Sequence, residues 1–147
     1  FPDTLIIQGK YQIKPPMPFA PGGEVAGEVI EVGENVTTVK PGDRVMALTG
    51  YGGFAEEAVT RASRAIPIPA KMDYVTAAGF SMVYGTSYHA LIQRGRLQPG
   101  ENLLVLGASG GVGLAAVEIG KALGARVIAA ASSPRSSPSP RSTAPTS

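Results

Sequence analysis

The 147-residue chain contains no cysteine, no tryptophan and one histidine, His89. Without cysteine no disulfide forms and every thiolate zinc site is excluded, and a single histidine cannot build a His-rich metal site, so no metal is expected. Missing cysteine also fits a reducing compartment, and a cytoplasmic location is the expectation. Long apolar runs are lacking too. The longest fall far short of the roughly 20 residues that a bilayer requires, and no charged-then-apolar leader opens the chain, so no membrane association is expected. Lys and Arg number 13 against 11 Asp and Glu, a formal net charge of +2, and the basic residues are not interleaved with aromatics. Nucleic acid is therefore not an expected partner. Acidic residues stop at Glu118 and do not return.

What is present centres on residues 101–131. An apolar run, a glycine cluster, a segment with apolar residues at helical spacing and a second apolar run read as strand, tight turn, helix and strand. This is the opening unit of a dinucleotide-binding fold. In Ala108-Ser109-Gly110-Gly111-Val112-Gly113 the three glycines have separate expected tasks. Gly110 turns the chain sharply off the strand, with positive φ expected. Gly111 and Gly113 remove side chains where a pyrophosphate or the strand must approach, and a helix from about Val112 aims its amides at the phosphates. Ala108 stands where G-x-G-x-x-G has its first glycine. An NAD site usually carries Asp or Glu about 20 residues further on, at the tip of the second strand. Here that position falls near Ser132 and Ser133, with no acidic residue beyond Glu118. A small hydroxyl there leaves room for a 2′-phosphate, and Arg126 or Arg135 is the candidate positive charge, so NADPH is expected over NADH. Read as plain loop residues, the two serines carry no such preference.

The rest of the chain divides by pattern. Residues 3–8 form one or two helical turns ended by Gly9, and the prolines at 15, 16, 18 and 21 hold an extended path. Strands are expected over residues 24–32, 44–48 and 54–60, separated by turns at 33–35, 41–43 and 50–53. Short strands between glycine and proline turns indicate a small antiparallel, barrel-like unit. From Met72 the pattern turns helical, with one helix capped by Asp73 and running to residue 80, and a second over about 84–93, stopped by Gly95 and Pro99. The tail 134–147 holds only Pro, Arg, Ser, Thr and Ala and is expected to be disordered. A G/C-rich back-translation of it, displaced by two bases, can encode an amphipathic helix ending in Gly, so a frameshift is the hypothesis for this segment. Reading the gene tests it.

With these elements placed, the chain resembles the medium-chain dehydrogenase/reductase superfamily, in its zinc-free quinone oxidoreductase (zeta-crystallin-like) branch. The resemblance rests on Phe1-Pro2-Asp3-Thr4, residues 18–27, Pro41-Gly42-Asp43-Arg44-Val45, residues 84–91, and the signature of Gly100-Glu101, Leu103, Gly110-Gly111-Val112-Gly113 and Lys121. Glu118 departs from the signature's usual Gln, with little consequence expected. The resemblance implies an α/β protein: a partial GroES-like, β-rich catalytic domain over residues 1–71, then the first β-α-β unit of a Rossmann fold over residues 72–133. Further strands before Phe1 and the rest of the parallel sheet after Ser133 are expected in the parent, which the family makes a homodimer. It implies NADPH as cofactor and a small-molecule quinone or enone as substrate, held between the domains.

By the same resemblance Thr86 lies near the nicotinamide, and Tyr11 and Asp3 near the substrate. Each has a plainer reading beside it. Thr86 can bond within its own helix, Tyr11 can be packing among prolines, and Asp3 can be a helix cap. His89 reads as structural, Glu24 as an internal partner of Arg44, and Gly42-Asp43-Arg44 as turn and structural charge. The function expected is zinc-independent hydride transfer from NADPH to a quinone or another activated double bond. Enoyl-thioester or enone reduction is the enzymatic alternative, and a truncated nucleotide-binding or structural product the non-enzymatic one.

Overall fold

A computed structural model describes residues 2–132. The chain divides into two units, Phe1–Met82 and Val83–Ser147. The tail 134–147, Ser133 and Arg135 lie outside the described residues.

In the first unit Pro2 opens a short helix, α1 (Pro2–Ile7), where a missing N–H costs nothing, and Ile6 is its buried residue. Gly9, with φ 65°, ends it by donating to Ile6 O at 2.9 Å. Three antiparallel strands follow in the order β1 (Glu24–Glu28), β2 (Arg44–Leu48) and β3 (Ala65–Pro67). Registers Ala26↔Met46 and Met46↔Ile66 line these strands up side by side. Helix α2 (Tyr74–Ala78) buries Ala77 against Met46 and Ile68, with Ala26, Met72 and Phe80 around them. The sequence reading grouped this helix with the second domain; its packing puts it with the first sheet.

Three expectations are corrected here. The strands form an open sheet and not a closed barrel. Residues 54–60 are not a strand: Gly52, Gly53 and Phe54 spend their N–H groups on Ala20, Gly22 and Pro21, and Phe54 and Val59 are exposed. The third strand is instead β3, whose residues pair with β2. Arg44 does not pair with Glu24. It faces Glu28 across the strands, donates to Ala70 O (3.1 Å) and Met72 O (2.6 Å), and lies 4.7 Å over the Tyr74 ring. Glu24 instead accepts from Met82 N–H at 3.0 Å. As expected, Asp43 is a turn residue: its carboxylate accepts the Lys40 backbone N–H at 2.9 Å and ion-pairs with the Lys40 ammonium.

In the second unit α3 (Ser81–Tyr88, its first two residues belonging to the first unit) passes into a π-helical segment, α4 (His89–Arg94). The strand β4 (Asn102–Leu106), the helix α5 (Gly111–Ala122) and the strand β5 (Arg126–Ala130) complete it. The strands are parallel, with register from Asn102↔Arg126 to Leu106↔Ala130, so α5 is a β-α-β crossover. Val105, Ala108 and Val117 are its buried core, with Leu103, Ala116 and Val127 packed on them. Strand alternation sends Leu104, Leu106 and Ile128 to the opposite, exposed face.

Candidate nucleotide-binding turn

The glycine cluster sits at the carboxyl end of β4. Gly107, which the sequence reading passed over, leaves the strand with φ 70°, a left-handed conformation that only glycine adopts cheaply. Gly110 N–H then donates to Gly107 O at 3.1 Å, and Leu114 N–H to Gly110 O at 2.8 Å, the first bond of α5. Gly110 is the helix N-cap with φ −80° and ψ 160°. Extended backbone of this kind suits any residue, which corrects the expectation of positive φ there: the sharp turn is made three residues earlier. The signal was available as a glycine directly after the apolar run.

Gly113 and Gly120 face the sheet. A Cβ on Gly113 would stand 2.3 Å from Gly107 O, and one on Gly120 2.6 Å from Leu103 Cδ2. The helix thus rests on the backbone of the turn at Gly113 and on side chains of the sheet at Gly120. Gly110 differs, since a Cβ there would meet only Gly107 O, at 3.6 Å, and its surroundings are otherwise open. Ser109, Gly110, Gly111 and Val112 form an exposed rim. A helix leaves its first amides without intrahelical partners, and α5 has no side-chain cap to take them. Such N–H groups at a helix N-terminus attract an anion. Ala108 contributes differently: its side chain is fully buried and its N–H donates to Ala130 O at 3.0 Å, so it serves packing and the strand ladder.

Register decides which end of β5 faces this turn. Ala130 lies opposite Leu106, so exposed Ser132, two residues further, is at the turn's end of the sheet. Arg126 lies opposite Asn102, at the other end. Ser132 is six residues on from Arg126, most of them strand at roughly 3.3 Å each, which removes Arg126 as a partner for a 2′-phosphate.

Of the other predicted residues, Asp3 lies within the first turn of α1 and not at its cap: its Oδ1 accepts from Gly22 N–H at 2.9 Å, fastening α1 to the glycine bend before β1. Tyr11 is half-buried in the first unit. Thr86, in the second, is exposed on α3 and its hydroxyl makes no hydrogen bond among the described residues. His89 is exposed, and its Nδ1 lies 2.6 Å from Gln93 Oε1 one turn on, a local structural contact. The Tyr84 hydroxyl donates to Glu118, and that bond first, burial second, pushes the Tyr84 pKa up. Among the described residues no group of three His, Cys, Asp or Glu could hold a metal, and no helix is long and apolar enough to cross a membrane. A groove of about 650 Å³ in the first unit runs between β1 and residues 54–60. It contains none of the glycine turn.

A parallel β-α-β unit with a glycine turn at the carboxyl end of its first strand defines the class of dinucleotide-binding folds. The comparisons agree with that class. Residues 1–70 match the alcohol dehydrogenase GroES-like domain. The chain is 45% identical to the quinone oxidoreductase-like protein 2 homolog of Nematostella vectensis over 88% of its own length and 36% of that relative. The quinone oxidoreductase of Thermus thermophilus, also solved in complex with NADPH, superposes with TM-score 0.77 at 38% identity, over 92% of this chain and 42% of that one. The CurK enoyl reductase gives TM-score 0.81 at 31% identity, over 90% and 42%. The chain is thus similar to the quinone oxidoreductases of the medium-chain dehydrogenase/reductase superfamily. It spans about 36–42% of the length of these relatives.

Proposed function

We propose that the chain is the nucleotide-binding portion of a zinc-independent, NADPH-dependent reductase that passes hydride to a quinone or another activated double bond. The observation that carries this reading is the turn itself: open space over Gly110, backbone contact beneath Gly113, and unsatisfied N–H groups at the start of α5. That shape fits a pyrophosphate, which the amides of Gly111, Val112 and Gly113 would hold while Gly110 leaves room for its oxygens. Ser109 borders the same rim. Ser132, and Ser133 beside it, offer hydroxyls and no negative charge to the adenosine ribose, which favours a 2′-phosphate. The dinucleotide, when bound, supplies the hydride. Thr86 would hydrogen-bond near the nicotinamide, and Tyr11 and Asp3 would orient the acceptor. The Thermus enzyme solved with NADPH supports this choice of cofactor. A cytoplasmic, homodimeric parent belongs to the same proposal.

Gly110→Ala tests it. In the parent protein the substitution should weaken NADPH at least about tenfold, roughly 1.4 kcal/mol, while leaving the thermal midpoint nearly unchanged, because the added methyl meets ligand and not protein. Undiminished affinity in a folded variant would refute the assignment of the turn. The resemblance to CurK favours a second acceptor class, enoyl thioesters or enones. Parallel NADPH oxidation assays with a simple quinone and a crotonyl thioester separate the two.

A further inference from the structure

Ser87 is the most deeply buried polar side chain of the described residues, 2% exposed, and its Oγ–H donates to the carbonyl of Val112 at 2.7 Å. Val112 is the second residue of α5, so this bond reaches from α3 into the turn of helix that presents the free amides. We infer that Ser87 is a positioning residue for the nucleotide site, which orders the first turn of α5 from outside that helix; the inference rests on the turn's being that site.

Three observations converge. A helical carbonyl has two lone pairs; that of Val112 accepts its intrahelical N–H from Ala116 and has one left for Ser87. Buried hydroxyls are almost always satisfied, so this one fixes both partners and does not rotate freely. One turn earlier on the same face of α3, Val83 closes on Gly111, where an added Cβ would lie 3.0 Å from Val83 Cγ1. The first two residues of α5 are thus gripped by packing at one and by a hydrogen bond at the next. Tyr84 and Glu118 join the same two helices farther along, away from the turn. Amides that receive an anion need a fixed direction before it arrives, and a helix start with no side-chain cap is the part of a helix that frays first.

The experiment compares the unsubstituted chain with Ser87→Ala, Ser87→Thr and Tyr84→Phe by residue-resolved amide exchange and by NADPH titration. Ser87→Ala should speed exchange at Leu114, Ala115 and Ala116 about tenfold while amides past Glu118 change less than about twofold, and should raise the NADPH dissociation constant about fivefold. Ser87→Thr, which keeps the hydroxyl, should restore both, and Tyr84→Phe should leave the first turn as it is. Should Ser87→Ala not fold, Ser87→Cys keeps the shape with a weak donor and takes its place. Exchange that is unchanged, or accelerated evenly along α5, overturns the inference, as does unaltered NADPH affinity. If the unsubstituted chain binds no NADPH, the nucleotide reading falls, and the exchange pattern by itself decides whether Ser87 orders the turn.

Discussion

Neighbouring glycines in one motif answer to different constraints, and substitution separates them. Gly113→Ala places a methyl 2.3 Å from the Gly107 carbonyl oxygen, and because that neighbour is backbone, the helix must lift from the strand. Overpacking of this kind costs about 1–3 kcal/mol. Urea unfolding should show a loss in that range for Gly113→Ala, against a change within about 0.5 kcal/mol for Gly110→Ala. Equal losses for the two would contradict the described turn. At the tip of β5, Ser132→Asp puts a carboxylate where a 2′-phosphate is proposed, and it should move the ratio of NADPH to NADH efficiency toward NADH by about tenfold or more. Equal efficiency with both cofactors in the unsubstituted parent protein would remove the proposed preference.

Helix α2 shows how much a short element depends on its first residue. With only five residues, Tyr74–Ala78, it is too short to persist on helix propensity. Asp73 accepts from Thr76 N–H at 2.7 Å and from its hydroxyl at 3.0 Å, and these bonds, the N–H first, hold its carboxyl below the ordinary value of 3.8. A group whose pKa is lower in the folded state stabilises above its unfolded pKa and loses that contribution as pH falls through the folded one. The stability gap between the unsubstituted chain and Asp73→Ala should be full at neutral pH and should narrow progressively below about pH 3.8. A gap of the same size at neutral and strongly acid pH would show that charge on the cap is irrelevant. Tyr84 has the opposite sign, since its bond to Glu118 favours the protonated phenol and is lost only as pH rises above about 10.

For the whole chain the exposed side of the parallel sheet decides the expectation. Parallel strands are normally covered on both faces, yet Leu104, Leu106 and Ile128 are 59%, 75% and 53% exposed. Apolar surface of that kind promotes association. The 147-residue chain should therefore oxidise NADPH with a quinone poorly beside a full-length relative, and should self-associate as concentration rises. Turnover within about tenfold of the relative, a barrier difference of only ~1.4 kcal/mol, would show that residues 1–147 suffice.

Local pattern was enough for the strand-turn-helix-strand order of residues 102–130, the Asp73 cap, the bend at residues 41–43 and the superfamily, because glycine placement, capping residues and the period of apolar residues are properties of neighbours in sequence. Composition alone excluded cysteine-bound metal. Pairing and distance were not legible. Residues 54–60 look like a strand in isolation, but Phe54 N–H is committed to Pro21 O and cannot enter a ladder, and the strand that pairs with β2 is Ala65–Pro67. Arg44 found carbonyls and a ring 26 to 30 positions away in preference to Glu24, and register puts Arg126, a candidate charge for the 2′-phosphate, at the end of the sheet away from the turn. Ser87 gave no local signal at all. Its consequence arises from a helix 25 residues onward that brings the Val112 carbonyl within 2.7 Å, and only folding creates that approach.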